Sequence, residues 1–238
     1  MRILICILFF SQDVLAVCPS KILMRALRPQ TVHCAFSGEA GKISAMLTKA
    51  RDANPEGVAL ICSPHPQRSG TMHHKVLTQT ALAFFECNYT TLRFDFRGVG
   101  HSEGTYGEIL GEIEDTKAAV TFLQQEFGDT PLWLAGFSFG AFTAAKSSMF
   151  ANNLQGVLLI APGVVRFDYA SLAQIPNCEV IQGECDEVVS SEDVQRWCRQ
   201  NDYPFYEVKG AAHEFHKKTK VLSKIVRTIV QKRSKKKV

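Results

Sequence analysis

"PLWLAGFSFGAF", Pro131 to Phe142, decides how the rest of the chain is read. An apolar run, Leu132–Phe137, ends at Ser138, and a second apolar run begins at once. Gly136-Phe137-Ser138-Phe139-Gly140 is a G-x-S-x-G pentapeptide. With Gly and Ser near average usage, about one chain in ten of this length would carry that pattern by accident. The setting adds weight, because the pattern joins a strand-like run to a helix-like one. There a serine stands on a sharp, strained turn with its Oγ exposed and a helix N-terminus behind it. The competing reading is a structural Gly-Ser turn.

Working outward, strand and helix signals alternate. Thr31–Phe36 and Lys42–Ala50 flank "SGEAG" and predict a β-hairpin. "GVALICSPH", Gly57–His65, predicts a buried strand and then a loop. Val76, Leu77, Ala81, Phe84 and Phe85 recur at helical spacing within Met72–Cys87. A strand at Thr90–Phe96 and a helix at Glu108–Phe127 come next. Strand Leu132–Phe137, helix Gly140–Phe150 and strand Gly156–Ala161 follow. The second half predicts strand Cys178–Gly183, a serine-capped helix over Ser190–Gln200, strand Pro204–Gly210 and helix Thr219–Val230. Such alternation means an α/β architecture, a mostly parallel sheet of about eight strands with helices on both faces. Ligands bind outside the C-terminal strand ends of such sheets.

Two further candidates fall at such ends. Asp186 follows the Cys178–Gly183 strand in "IQGECDEVV", and His213 follows the Pro204–Gly210 strand in "VKGAAHEF". A serine hydroxyl is a weak nucleophile and needs a base held by a third group. The order Ser138, Asp186, His213 is the order used by α/β hydrolases. Glu184 and Glu187 compete with Asp186 and have solvated loop roles as the alternative. His216 competes with His213 but falls where the last helix begins. An oxyanion needs two N–H donors. Phe139, after the nucleophile, is one. Pro66 has no N–H, so Gln67, in "SPHPQRSGTMHH", is expected to be the other. His65, His73 and His74 have no acidic partner among them, so no metal is expected.

Composition bounds the rest. The 238 residues are 46% hydrophobic, enough for one domain with a substantial core. The net charge of +4 is concentrated in Lys232, Arg233, Lys235, Lys236 and Lys237, which is not the profile of a nucleic-acid binder. The basic stretch 232–238 reads as a solvated tail, with contact to an anionic membrane as the alternative. The eight cysteines form no CxxC pair and read as reduced thiols in a cytoplasmic protein. Residues 1–24 form an extension with an apolar run, Ile3–Phe10, too short to span a bilayer. It reads either as a signal-like segment of an exported protein or as sequence upstream of a true start at Met24. The domain proper is expected over 25–231.

"CSPHPQRSGTMHHKV", "LRFDFRGVGHSEGTY", "LAGFSFGAF", "VIQGECDEVV" and "GAAHEF" together resemble the small bacterial-type α/β hydrolases, which are dienelactone-hydrolase-like and related to the serine-peptidase-type hydrolases. The resemblance runs from about Thr31 to Val230. It implies the α/β-hydrolase fold, with Ser138 as nucleophile, Asp186 as acid and His213 as base. It also implies that Asp95-x-Arg97-Gly98-x-Gly100-x-Ser102 is a structural loop. The glycines of "RGVGHSEG" do not make a dinucleotide fingerprint, because Glu103 stands where the third glycine belongs.

The expected activity is hydrolysis of an ester or thioester of a small-molecule acyl substrate through an acyl-enzyme, with no cofactor. A non-catalytic binding protein and a peptidase of the same fold are the alternatives. "PGVVRFDYASLAQIPN" is too short for a helical lid, so no sizeable lid domain and an open site are expected. Phe137, Phe139 and Phe142 are candidates to line an acyl pocket, with core packing favoured for Phe137.

Overall fold

The hairpin opens the fold as expected. Strands β1 (Thr31–Gly38) and β2 (Gly41–Thr48) pair antiparallel across a tight turn, with Gly38 opposite Gly41. Gly41 sits at φ +121°, open to glycine and strained for other residues. The computed structural model describes residues 29–235, so the 1–24 extension and Lys236 to Val238 lie outside the described residues.

Six further strands complete the sheet: β3 (Gly57–Cys62), β4 (Tyr89–Phe94), β5 (Leu132–Phe137), β6 (Leu154–Ile160), β7 (Cys178–Gly183) and β8 (Phe205–Val208). Their order is β1-β2-β4-β3-β5-β6-β7-β8. β2 pairs antiparallel with β4, and every pair from β4 to β8 is parallel. The chain leaves β3 for β4 on one side and returns to β5 on the other. That reversal opens a crevice at the C-terminal strand ends, where a ligand site is expected.

Period-two alternation divides the strands between two cores. On β5, Trp133, Ala135 and Phe137 face helices α1 (Lys75–Glu86) and α5 (Thr219–Ser234), whose Val76, Leu77, Phe84, Leu222, Val226 and Ile229 complete that layer. Leu132 and Leu134 point the other way, toward α2 (Leu110–Phe127) and α3 (Phe139–Ser147). Helix α4 (Ser191–Gln200) covers the β7 end through Val194 and Cys198. The Ser190 hydroxyl caps α4 by accepting the Asp193 N–H at 3.2 Å.

The loop Asp95–Ser102 is a brace. Asp95 accepts the Met72 N–H at 2.6 Å, and Arg97 makes a two-pronged pair with buried Asp115 at 2.7 and 3.0 Å. The Ser102 hydroxyl donates to the Asp95 carbonyl and accepts from Ser44 N–H. The six described cysteines are all free thiols. Burial pushes Cys62 and Cys198 up to about 12.

Two helix C-termini differ from expectation by three residues or more. Helix α3 ends at Ser147 and passes into a 3₁₀ turn, Ser148–Phe150. More consequentially, the basic tail does not start at Lys232. Helix α5 runs on to Ser234, because the Arg233 guanidinium reaches back to Glu179 at 2.9 Å and to Asn177 at 2.7 Å. Among the described residues, no helix is long and apolar enough to cross a membrane.

Candidate active site

β5 ends directly beneath Ser138, whose backbone is forced to φ 54° and ψ −112°. Two close approaches hold it there. A Cβ at Gly136 would lie 2.0 Å from the Gly140 carbonyl, and one at Gly140 would lie 2.3 Å from the Cys62 carbonyl. Only glycine lets α3 start this close to β3 and β5. The Ser138 N–H extends the ladder to Ile160 O of β6 at 2.8 Å. The hydroxyl is thereby lifted to the rim of the sheet.

The three residues singled out from sequence meet there. His213 Nε2 is 3.1 Å from Ser138 Oγ, and His213 Nδ1 is 2.8 Å from Asp186 Oδ2. The Asp186 side chain is fully enclosed. Its other oxygen accepts the N–H groups of Val188 and Val189 at 2.9 and 2.8 Å, and Gln182 Nε2 adds a bond at 2.9 Å. Burial alone would raise the Asp186 pKa, but the bonds from His213, Val189 and Val188 outweigh it and hold the carboxyl below its ordinary value of 3.8. An ionised acceptor fixes the proton on Nδ1 and turns the bare Nε2 toward the serine. The competitors stand elsewhere. Glu184 pairs with Lys209 and the Gly210 N–H, Glu187 accepts the His213 N–H, and His216 is exposed.

On the expected oxyanion side, Phe139 lines the cavity and Gln67 does not. Phe139 is the first residue of α3 and lines the cavity with Ser138, its N–H free of any i→i−4 partner. Gln67 does not face the cavity. Pro66 starts a 3₁₀ turn, Pro66–Arg68, that swings the Gln67 N–H back onto His65 Nδ1 at 3.2 Å. His65 itself lines the cavity, with its ring 4.9 Å from the Phe139 ring. Among the described residues, no acceptor takes the His65 N–H. Of the loop residues lining the cavity, Pro64 has no N–H and the Arg68 N–H donates to the His65 carbonyl at 3.0 Å, which leaves the His65 N–H as the free one.

The cavity holds about 350 Å³. Phe137, Phe139, Phe167, Val188 and Val189 form its apolar walls. Phe142 stands behind the wall, stacked on Phe167 at 5.2 Å. The segment between β6 and β7 forms no helix and contributes Gly163, Arg166 and Phe167 as a low wall. A comparable cavity of about 410 Å³ lies at the opposite end of the strands, beside Lys49, Pro55 and Thr90, far from any of these groups.

Sequence reasoning missed one pair outright. His74 caps α1, its Nδ1 accepting the Val76 N–H at 3.3 Å, and its Nε2 lies 2.5 Å from Glu214 Oε2. The His74 ring stacks on Phe137 at 5.0 Å, and Phe137 packs on His213, also at 5.0 Å. The pair ties the loop that carries His213 to the start of α1. His74 does have an acidic partner, but it comes from the far end of the chain. Among the described residues, no cluster of three or more His, Cys, Asp or Glu side chains could hold a metal.

Comparison with known proteins bears on the fold and the family. The sequence signature of the serine aminopeptidase family of hydrolases matches residues 69–177. An uncharacterized protein of Rickettsia prowazekii is 34% identical over 203 residues, covering 80% of this chain and 85% of that protein. The crystal structure of an α/β serine hydrolase without lid from Xanthomonas campestris is similar at a TM-score of 0.80, with 28% identity over 85% of this chain and 94% of that one. An α/β serine hydrolase homologue from Coxiella burnetii gives a TM-score of 0.79 and 35% identity, covering 83% of this chain and 96% of that one.

Proposed function

This chain belongs to the α/β serine hydrolase family, and on that basis we propose that it hydrolyses ester or thioester bonds of small or exposed acyl substrates. The observation that carries this reading is the unbroken line of contacts from Ser138 Oγ through His213 to Asp186, at 3.1 and 2.8 Å. His213 Nε2 takes the hydroxyl proton as Oγ bonds to the acyl carbon. The carbonyl oxygen becomes an oxyanion held by the Phe139 and His65 N–H groups. Collapse breaks the bond to the leaving oxygen or sulfur, which takes the proton from His213. Water then repeats the sequence on the acyl-enzyme and releases the acid, leaving Ser138 as it began. Asp186 stays ionised and stabilises the imidazolium.

The low wall between β6 and β7 leaves the cavity open to substrates larger than their acyl group. The test is covalent capture with a fluorophosphonate together with p-nitrophenyl butyrate turnover. Wild-type protein is expected to label at one site, and Ser138→Ala to lose labelling and about 10⁴-fold or more in kcat. Labelling that survives Ser138→Ala overturns the reading.

The serine aminopeptidase signature favours a second reading, cleavage of an amide next to a free amine. An ammonium needs an available carboxylate, and the acid on the cavity lining, Glu214, is engaged by His74. Turnover of amino-acid p-nitroanilides in excess of p-nitrophenyl esters would favour this second reading.

A further inference from the structure

The mouth of the Ser138 cavity carries two guanidiniums, Arg68 and Arg166. Arg68 lies on the loop after β3, and Arg166 on the segment after β6. β3 and β6 are the two neighbours of β5 in the sheet, so the arginines bracket the nucleophile from opposite sides. Both are exposed, and among the described residues neither is paired with a carboxylate. Arg166 donates one N–H to the Val188 carbonyl at 2.9 Å, which anchors it on the rim and leaves its other donors available.

The nearby acids already have partners. Glu214 accepts from His74, Glu187 accepts the His213 N–H, and Asp186 is enclosed behind the imidazole. The His65 pKa is lowered, first by burial and next by the charge of Arg68. A short apolar interior under a cationic rim selects for an apolar segment that ends in an anion.

We propose that Arg68 and Arg166 make this an anion-selective site, taking acyl esters or thioesters that carry a carboxylate or phosphate within reach of the scissile carbonyl. The proposal rests on Ser138 as the nucleophile. Guanidiniums suit both anions, because their planar fork donates two parallel hydrogen bonds to either. Two exposed pairs together correspond to a preference of about tenfold, sensitive to salt.

The anion can sit on the acyl side, as in a dicarboxylic half-ester, or on the leaving group, as in a phosphate-bearing thiol. Two substrate pairs separate these sources. p-Nitrophenyl hemisuccinate against p-nitrophenyl butyrate places the charge on the acyl side. S-butyryl coenzyme A against S-butyryl-N-acetylcysteamine places it on the leaving side. The full chain is compared with the double variant Arg68→Gln/Arg166→Gln by the ratio of kcat/KM, anionic to neutral. The wild-type ratio is expected to reach about tenfold in one pair at low salt and to shrink as sodium chloride is added. In the double variant it should fall close to one. Preference in one pair locates the anion on that side. Ratios near one in both pairs for wild type, or a ratio that persists in the double variant, overturn the proposal. The neutral substrates keep the two readings apart. If wild type turns over neither neutral nor anionic esters, the hydrolase reading fails; if it turns over neutral ones without preference, only the anion site fails. The salt dependence needs no variant and guards against a misfolded one.

Discussion

The turn after β5 and the loop after β3 face each other across the cavity, yet one is held by backbone approach and the other by side chains. Ser138 is positioned because Gly136 and Gly140 leave no room for a Cβ against the carbonyls of Gly140 and Cys62. The Pro64–His74 stretch is positioned by its own rings. His65 accepts the Gln67 N–H, and His74 caps α1 while it holds Glu214. Steric exclusion acts between residues a few positions apart, so it can be read along the chain. A ring nitrogen chooses its partner in space, so its choice appears only after folding.

The sharpest way to break this comparison is at the oxyanion rim. His65 has φ −55°, which proline adopts without strain, so His65→Pro removes the N–H at little backbone cost. Loss of one oxyanion donor lowers kcat about 10²–10³-fold. His65→Ala keeps the N–H and controls for the lost imidazole. Gln67→Pro should cost far less than His65→Pro, and an equal loss would restore Gln67 as the donor.

The next effect tests the backbone side. Gly140→Ala drives a methyl into the Cys62 and Ser63 carbonyls, an overpacking worth about 2–3 kcal/mol. The thermal midpoint should drop by about 5–10 °C, with fluorophosphonate labelling slowed in the protein that remains folded. An unchanged midpoint would mean that the elbow does not depend on this close approach.

The smallest effect sharpens the role of His74. His74→Asn keeps a side chain able to cap α1 but cannot stack on Phe137 or reach Glu214 in the same way. Losing a hydrogen bond to a charged group is worth about 1.5 kcal/mol, roughly tenfold. The loss should fall on kcat with KM retained, and the low-field proton resonance of the His213–Asp186 bond should broaden. A rise in KM alone would make His74 a substrate contact rather than a positioning residue.

Most of the frame was legible. The strands Leu132–Phe137 and Cys178–Gly183 match their expected bounds, because each is a short apolar run closed by a turn. Asp186 and His213 were found because a parallel sheet gathers its C-terminal strand ends on one rim, whatever their distance in sequence. Helix α5 was read as ending at Val230, where the apolar period stops. It continues because Arg233 finds Glu179 and Asn177 on β7 and just before it, which no periodicity encodes. Gln67 was chosen by counting donors along the loop, and the count could not include the acceptor that His65 turns back on it.

By itself, the amino-acid sequence determined the α/β alternation, the glycine-flanked elbow at Ser138 and the order of serine, aspartate and histidine. Those follow from rules of short range: side-chain period, steric room for a Cβ, and the missing N–H of proline. Only the tertiary structure decided that the Gln67 N–H turns back onto His65, that Glu214 answers His74, and that Arg68 and Arg166 flank Ser138. Each of those depends on which loops the strand order β4-β3-β5-β6-β7-β8 brings together, and hydrogen bonds and charges act across that space without regard to distance along the chain.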